Sequence, residues 1–370
     1  MRISILTWHK ALNHGAVLQA YASQKTIQMM GKNVEVLDYK RIVKDKRTIL
    51  QKTKTRFERI LSRDYLLRNK YLDFNTKKKE VFDQFISDNI KIGANIETGI
   101  FDCIMIGSDM VFNLLQGYSP YMFGVSVNTN YLFSYAACSG GSTIKTAQRI
   151  GCLEEINKGL SSFGGLSCRD ETTVKFIYDV TNRNDIVENI DPVLLYGFEM
   201  EQKEWNGGVW KNNAPYILVY AYNSNMNLQT ETRQIIKFAR NKGLKLISVG
   251  YFHSWCDDNI NASPSEFVEM VVNAQAVITD TFHGTVFSLI CHKPFCSIIR
   301  ENGFKLRYLL EQCDMTDRIA DNSEMIIPVL EKEINYETFD SWIGIERKKG
   351  IEYLEQQIKK AELQNGKFNK

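Results

Sequence analysis

The fold is indicated most clearly by the segment Val277-Ile278-Thr279-Asp280-Thr281-Phe282-His283-Gly284-Thr285-Val286-Phe287-Ser288-Leu289-Ile290. A short β-type run stops at polar residues and a histidine, and an apolar, helix-like run follows, which predicts a strand–loop–helix junction. In open α/β sheets, ligands collect outside the carboxyl ends of the strands, where the next helix offers free N–H groups and a positive dipole to an anion. His283 is therefore predicted to lie at a ligand site, although a histidine that only caps the helix fits the same pattern.

Strand-like and helix-like pieces alternate along the chain in two series. The first series begins at residues 3–7 and the second at residues 216–220, and the polar, turn-rich residues 196–214 separate them. A repeated βα pattern is typical of a parallel sheet. The sequence therefore predicts an α/β protein with two domains, each built on a parallel sheet.

The domain boundaries follow from this alternation. We place the first domain at residues 1–200, with a basic helical insertion at about residues 40–90, and the second domain at residues 210–340. Within the remaining residues 341–370, apolar side chains recur with helical spacing. This pattern predicts one amphipathic helix over residues 347–364.

Length and composition narrow the function classes. A chain of 370 residues with 44% hydrophobic content is long enough for two cores, since single cores rarely grow beyond roughly 250–300 residues. No stretch approaches the roughly 18 apolar residues of a membrane span, and residues 1–7 are too short for a signal sequence, so we expect a cytoplasmic protein. The eight cysteines form no C-x-x-C pair, and no G-x-G-x-x-G or P-loop is present. We therefore expect no metal and no nucleotide cofactor.

Positive charge is concentrated in one segment, residues 40–79. The segment carries 15 Lys or Arg and four Asp or Glu, whereas the whole chain has a net charge of only +3. Apolar residues interleave with these charges, which indicates an amphipathic helix. Two interpretations remain open: a solvated helical face, or peripheral contact with an anionic membrane surface or a lipid-linked glycan at the inner membrane face. A nucleic-acid partner is not expected, because the pI of about 8.3 is only mildly basic.

The junction around His283 resembles the T-D-S-F-H-G-T-x-F-S signature of the polysaccharide pyruvyl transferase family, with Thr281 in place of the usual serine. Five further blocks resemble this family in the same order, so the resemblance covers residues 1 to about 320. They are similar to N-Y-G-A-V-L-Q-A-Y-A at residues 13–22, Y-D-x-x-I-x-G-S-D-Q-V-W-N at 101–113, S-Y-A-A-S-F-G at 134–140, I-S-V-R-E at 166–170 and D-P-T-L-L at 191–195.

The resemblance implies a fold and an activity. The fold would consist of two Rossmann-like domains facing a cleft, in the manner of GT-B glycosyltransferases, with the C-terminal helix bracing them. The reaction would move the enolpyruvyl group of phosphoenolpyruvate onto two hydroxyls of one sugar, forming a cyclic pyruvate ketal and releasing phosphate. Phosphoenolpyruvate would be the donor substrate, and the acceptor would be a glycan or lipid-linked oligosaccharide in capsule, exopolysaccharide or cell-wall synthesis.

Three residues match the family's blocks at positions suited to this chemistry. Arg169 could hold a carboxylate with its planar guanidinium, although an ion pair with Asp170 or Glu171 is the structural alternative. His283 could bind phosphate and donate a proton, since imidazole titrates near neutral pH. Asp109 could accept a hydroxyl proton, bind a sugar hydroxyl, or simply cap a helix.

Further site residues are predicted around these three. For the donor we expect Thr281 and Gly284 at the helix start, together with Asn13 and Gly15. Some family members carry an arginine where this chain has Thr281. The basic residues that could replace it are Lys293, Arg300, Lys305 and Arg307. We select Arg307, because residues 307–310 resemble the family's R-x-x-L-L run. Ser108 is predicted to contact the acceptor beside Asp109.

Two other functions fit the same pattern. One is a nucleotide-sugar glycosyltransferase with the GT-B plan, although the helix after His283 lacks the basic pair that would hold a diphosphate. The other is a catalytically silent relative that binds a glycan, which an intact Arg169 and His283 disfavour.

Overall fold

The computed structural model describes residues 1–39, 65–222, 226, 229–300 and 303–368. Most of the basic segment, residues 40–64, therefore lies outside the described residues. The first domain comprises β1 (Arg2–Leu6), α1 (His14–Met29), β2 (Asn33–Asp38), α2 (Tyr65–Asn89), β3 (Ile92–Asn95), β4 (Cys103–Ile106), β5 (Leu132–Ser134), α3 (Ile144–Ile150), α4 (Leu153–Ser161), β6 (Leu166–Cys168), α5 (Glu171–Thr181), β7 (Ile186–Glu188), α6 (Pro192–Tyr196) and α7 (Glu199–Glu204).

All strand pairs of the first domain are parallel. Five strands form a sheet in the order β3-β2-β1-β4-β5, and β6 pairs with β7. Isolated bridges from Phe133 to Gly165 and from Ala137 to Cys168 join β5 to β6, so the seven strands form one continuous layer. Helices cover the faces of this layer, because neighbouring parallel strands are joined by crossover connections that usually contain a helix.

The second domain repeats the plan with six parallel strands in the order β10-β9-β8-β11-β12-β13. The predicted α/β fold with two parallel sheets is therefore confirmed. Its elements are β8 (Tyr216–Tyr220), α8 (Gln229–Asn241), β9 (Lys245–Val249), β10 (Asp258–Ile260), α9 (Pro264–Asn273), β11 (Ala276–Thr279), α10 (Phe282–Ile290), β12 (Phe295–Ile298), α11 (Phe304–Gln312), β13 (Ile319–Ala320), α12 (Ile326–Glu331) and α13 (Glu337–Phe368).

The strands are buried on both faces, and the side chains on opposite faces of a sheet belong to different hydrophobic cores. In β4, Cys103 and Met105 belong to one cluster, whereas Ile104 and Ile106 point to the other face and join a second cluster. A third cluster lies on the outer face of the second sheet. The first cluster contains residues of both domains, so the two sheets share a continuous apolar interior in addition to their separate outer cores.

The C-terminal helix α13 braces the domains, as predicted, but it begins at Glu337 and is therefore longer than expected. Near its start, Asp340 Oδ1 lies 2.8 Å from His292 Nε2 of the second domain. Further along, Arg347 Nε donates to Leu194 O at 2.8 Å and Tyr353 OH donates to Ser134 O at 3.0 Å. The chain thus crosses from the second domain back onto the first. No helix among the described ranges is long and apolar enough to cross a membrane.

One lysine of the basic segment is not on a solvated face. Lys78, in α2, is 4% exposed, and its Nζ donates to Gly250 O of the second domain at 2.7 Å. The same nitrogen lies 4.8 Å from the ring centre of Tyr251 and 5.4 Å from that of Phe82. Burial lowers the pKa of Lys78 to about 8. Lys78 therefore joins the two domains, whereas its neighbour Lys79 is exposed and pairs with Asp83.

The lowered pKa of Lys78 predicts that stability rises with pH. Between about pH 8 and the ordinary lysine pKa of about 10.4, the unfolded chain binds a proton that the folded chain does not, so alkaline pH favours folding. The free energy of unfolding should rise by up to about 2–3 kcal/mol over this range. Urea denaturation at several pH values should show this increment in the native protein and in Lys79→Met. If Lys78→Met kept the same increment, the assignment would be wrong.

Candidate active site

The first turns of α1 and α10 meet where the carboxyl ends of the two sheets face each other. A Cβ atom on Gly15 would lie 2.1 Å from His283 Nδ1, so only glycine permits this approach. Asn13 starts α1, and its side chain accepts a hydrogen bond from Ala16 N at 3.1 Å. The predicted donor-site residues Asn13, Gly15 and His283 are therefore brought together.

Thr281 starts α10 and uses its hydroxyl for the helix rather than for a ligand. Its Oγ1 accepts the N–H of Gly284 at 3.0 Å, and its carbonyl accepts the N–H of Thr285 at 3.2 Å. The hydroxyl also lies 2.9 Å from Thr279 Oγ1, and Thr281 is 3% exposed. The predicted phosphate contacts of Thr281 and of the Gly284 N–H therefore lack geometric support, because both groups already have partners.

Arg169 and His283 meet at one buried carboxylate, that of Asp191. Arg169 Nη1 donates to Asp191 Oδ2 at 2.6 Å, and His283 Nε2 lies 3.6 Å from the same oxygen. Arg169 directly follows β6, Asp191 starts α6, and His283 is the second residue of α10. The structural alternative for Arg169, a pair with Asp170 or Glu171, is thus replaced by a pair with Asp191.

The environment of Asp191 keeps its carboxylate ionised. Burial alone would raise the pKa of Asp191, but the neighbouring His283 and Arg169 and the N–H of Val193 outweigh burial and hold the pKa below its ordinary value. The stabilisation linked to this shift is present above the unfolded pKa of about 3.9 and is lost as the pH falls through the folded value. A charged Asp191 therefore faces the Arg169 guanidinium and the His283 ring at neutral pH.

Arg169 has donors beyond its bond to Asp191. Its Nε and Nη2 are buried, and neither has a hydrogen-bond partner within the described part of the chain. The guanidinium carbon lies 4.1 Å from the ring centre of Phe282, which fixes the plane of the group. Unpaired guanidinium donors in a buried position suit a carboxylate or phosphate ligand.

A cavity of about 550 Å³, open solvent at its mouth included, lies beside Arg169. Both domains and α13 contribute to its wall, and it carries positive, negative and aromatic side chains. Its lining consists of Arg169, Asp170, Glu188, Asn189, Ile190, Asp191, Leu194, Phe282, Lys305, Tyr308, Leu309, Gln312, Trp342, Glu346 and Lys349.

The cation that α11 presents to this cavity is Lys305, not Arg307. Arg307 is absent from the lining and forms an exposed ion pair with Asp321. Lys305 lines the cavity, and its Nζ reaches Met110 Sδ of the first domain at 3.3 Å. The predicted role of Arg307 as the donor-binding cation therefore has no geometric support at this cavity. Residues two positions apart on a helix point to different sides, so Lys305 and Arg307 cannot both face the cavity.

One carboxyl group on the cavity wall has a raised pKa. Tyr308 OH donates to Glu188 across the two domains. Burial, followed by the repulsion of Glu171 and Asp170, raises the pKa of Glu188 against the opposing effects of Tyr308 and Lys349. Neither Glu188 nor Tyr308 was predicted from the sequence, because no spacing rule marks a pair that forms across domains.

The predicted acceptor residues differ in exposure. Ser108 is fully buried, its Oγ donates to Ala136 O at 2.8 Å, and it lies 3.4 Å from Asp191 Oδ2. Ser108 thus supports Asp191, and its predicted contact with the acceptor has no geometric support. Asp109 is only half-buried, and its φ of +62° is a strained value for a non-glycine residue. The N–H of Cys138 holds this conformation by donating to Asp109 O at 3.0 Å.

Asn13 reaches across the cleft, since its Nδ2 donates to Tyr251 OH at 3.1 Å. The adjacent His14, which was not selected as a site residue from the sequence, is a core residue. It stacks on Phe267 at 4.8 Å, donates from Nε2 to Ala262 O at 2.9 Å, and burial followed by Lys78 lowers its pKa to about 3. Asp191 is the central residue that the sequence failed to identify, although its Asp-Pro block was visible.

Within the described ranges, no group of three or more His, Cys, Asp or Glu side chains could hold a metal ion.

Comparison with known families gives one match that covers most of the chain. The model of the family described as Polysaccharide pyruvyl transferase matches residues 13–302. This range includes Asn13, Asp109, Arg169, Asp191 and His283. No curated protein matches the sequence at a significant level.

Solved structures show the same architecture. A UDP-N-acetylglucosamine 2-epimerase from Rickettsia bellii is similar with a TM-score of 0.51 and 9% identity over 96% of this chain and 96% of that chain. The UDP-GlcNAc 2-epimerase from Neisseria meningitidis bound to UDP-GlcNAc gives a TM-score of 0.49 and 9% identity over 97% and 100% of the two chains. The likeness to the Rickettsia bellii enzyme supports a GT-B-like fold, and at such an identity it concerns the fold alone.

The contact between Gly15 and His283 predicts the effect of a single methyl group. Gly15→Ala would place Cβ 2.1 Å from Nδ1 and 2.6 Å from Cβ of His283, so the two helix starts must separate. We expect a loss of about 1–3 kcal/mol in unfolding free energy, as in other overpacked interiors. Gly344→Ala is the control: nothing lies within 4 Å of its Cβ, so its stability should be unchanged or higher in thermal melts. Equal stability of the two variants would contradict the close approach.

Proposed function

Because the chain belongs to the polysaccharide pyruvyl transferase family, we propose that it transfers the enolpyruvyl group of phosphoenolpyruvate to two hydroxyls of one glycan sugar. The products are a cyclic pyruvate ketal on the glycan and inorganic phosphate. The observation that carries this proposal is the contact of Arg169 and His283, from opposite domains, with the buried carboxylate of Asp191.

The donor carries a carboxylate and a phosphate, and the site offers cations for both. Arg169 has two buried N–H groups left for an anion, and Lys305 stands on the same cavity wall. Bidentate binding by Arg169 would orient the carboxylate, and Lys305 would act as a point charge for the phosphate.

The reaction needs balanced proton transfers. One sugar hydroxyl oxygen bonds to C2 of the enolpyruvyl group while C3 takes up a proton; the bond from C2 to the phosphate oxygen then breaks, and the second hydroxyl oxygen bonds to C2. The two hydroxyls release two protons, of which one is taken up at C3 and the other balances the departing phosphate. His283 is the proton donor in this scheme, and Asp191 stabilises a positive charge on its ring.

Asp109 is assigned to the acceptor hydroxyl. It lies at the carboxyl end of the first sheet, directly beyond β4, and it is half-buried at the cleft. A carboxylate in this position can accept the proton that the attacking hydroxyl loses. Contact of the basic segment with an anionic membrane stays a prediction, because residues 40–64 lie outside the described residues and Lys78 is engaged in the interior.

Donor binding is tested by thermal shift. A ligand that binds only the folded state stabilises it by RT ln(1 + [L]/Kd), which is about 2.7 kcal/mol at 100 times Kd. Phosphoenolpyruvate should therefore raise the melting temperature of the native protein. Arg169→Lys should lose most of this shift, since an ammonium group cannot reproduce the planar fork. Each variant is compared with its own ligand-free melt, because Arg169 also contributes to stability.

Arg307→Ala is the matched control for this titration. Its guanidinium pairs with Asp321 outside the cavity, so the variant should keep the full shift. A panel of nucleotide sugars completes the experiment. A shift with a uridine sugar and none with phosphoenolpyruvate would overturn the proposal in favour of a glycosyltransferase.

The role of His283 is tested by turnover. His283→Asn keeps much of the side chain's shape but cannot supply a proton, so kcat should fall roughly 100-fold or more. His292→Asn is the control, because His292 is exposed and paired with Asp340 away from the cleft. Phosphate release with donor and acceptor present gives kcat. Near-normal turnover of His283→Asn together with a lower melting temperature would assign the histidine a structural role.

A further inference from the structure

An aromatic side chain that no sequence motif marks stands at the cleft. Tyr222 follows β8 by two residues and is 38% exposed, an unusual exposure for a large ring at a strand end. Its backbone N–H donates to Asp280 Oδ1 at 2.9 Å, which ties Tyr222 to the loop that leads to His283. The ring is therefore held beside the candidate active site.

A packed aromatic layer supports this ring from below. The centre of the Tyr222 ring lies 5.2 Å from that of Tyr251 in an edge-to-face arrangement, and Tyr251 lies 5.5 Å from the fully buried Tyr220. Tyr251 is fixed from the other domain, because Asn13 Nδ2 donates to its hydroxyl and Lys78 Nζ lies over its ring. The Tyr222 ring is thus an ordered, half-exposed surface on a rigid support.

The charges of two carboxylates, those of Asp109 and Asp280, act on the hydroxyl of Tyr222. Burial, followed by the negative charges of Asp109 and Asp280, raises the pKa of Tyr222 to about 12. Asp109 belongs to the first domain and also acts on the charge of Arg169. The charge of Asp109 therefore acts both on the ring of Tyr222 and on the guanidinium that we assign to the donor.

We propose that Tyr222 and Asp109 form the acceptor subsite, in which the apolar face of a neutral pyranose packs on the Tyr222 ring and a sugar hydroxyl donates to Asp109. This inference rests on the proposed function, since it places the attacking hydroxyl next to the donor at Arg169. Aromatic rings offer large contact area at low entropic cost, and a carboxylate accepts hydroxyl hydrogen bonds that are stronger than neutral ones.

The charges select the class of sugar. After burial, the two groups that raise the pKa of Tyr222 most are carboxylates, those of Asp109 and Asp280. An acidic sugar such as a uronic acid would bring its carboxylate towards them and be repelled. A neutral hexose is not repelled by these carboxylates and still donates its hydroxyl hydrogen bond to Asp109. The subsite should therefore prefer neutral hexosides over uronosides.

Binding of methyl glycosides to the full-length protein tests the subsite without requiring turnover. Saturation-transfer NMR with a panel of neutral methyl hexosides and methyl glucuronide should show binding of at least one neutral hexoside and little of the glucuronide. Tyr222→Ala should weaken the bound hexoside roughly tenfold, while Tyr222→Phe keeps most of the affinity. Tyr178→Ala, which removes a 50% exposed tyrosine from α5, is the control and should bind like the native protein.

The outcomes separate this inference from the proposed function. The melting shift caused by phosphoenolpyruvate should be unchanged in Tyr222→Ala, because Arg169 and Lys305 are untouched. Loss of hexoside binding together with an intact donor shift supports the subsite. Three results would overturn the subsite: unaltered hexoside binding in Tyr222→Ala, preferred binding of the glucuronide, or no hexoside binding at all. An absent phosphoenolpyruvate shift in the native protein would count against the proposed function alone.

Discussion

The buried charge of Asp191 is the constraint on which the arrangement of the cleft depends. A fully buried carboxylate can stay ionised only if positive groups and N–H donors compensate for lost hydration, and here these groups come from both domains. Arg169 approaches from the first sheet and His283 from the second, so the requirement to neutralise one carboxylate fixes how the two sheets face each other. Removing one partner of such a pair typically costs about 3–5 kcal/mol, because the remaining charge stays buried.

The pairs that cross between the domains follow the order of the strands along the cleft. Asn13 meets Tyr251 beyond β1 and β9, and Arg169 meets the α10 start beyond β6 and β11. Glu188 and Tyr308 close the far end beside the cavity. Tyr222 follows β8, which lies between β9 and β11, so its ring stands between the Asn13–Tyr251 contact and the centre at Asp191.

Local signals in the sequence predict much of the fold. The βα alternation predicted both parallel sheets, and the pattern Ser263-Pro264-Ser265-Glu266 forms a capping box at the start of α9. Contacts between distant segments were not predictable: the basic run around Lys78 indicated a charged surface, yet Lys78 is buried against Gly250. The choice of Arg307 over Lys305 has no support from the cavity for a related reason, since the sequence does not reveal which side of α11 faces the cavity. Asp191 was overlooked because its role arises only when the two domains come together.

In the proposed reaction, the carbon skeleton of phosphoenolpyruvate becomes joined to two oxygens of one sugar. The most direct test supplies phosphoenolpyruvate labelled with ¹³C at C2 together with neutral glycan acceptors and follows the labelled carbon by NMR. We expect the ¹³C signal of the enol carbon to be replaced by the signal of a quaternary ketal carbon coupled to the sugar. One phosphate should be released for each ketal formed. Label that remains in phosphoenolpyruvate, appears as free pyruvate, or is joined to the sugar through a single oxygen would contradict the proposed reaction.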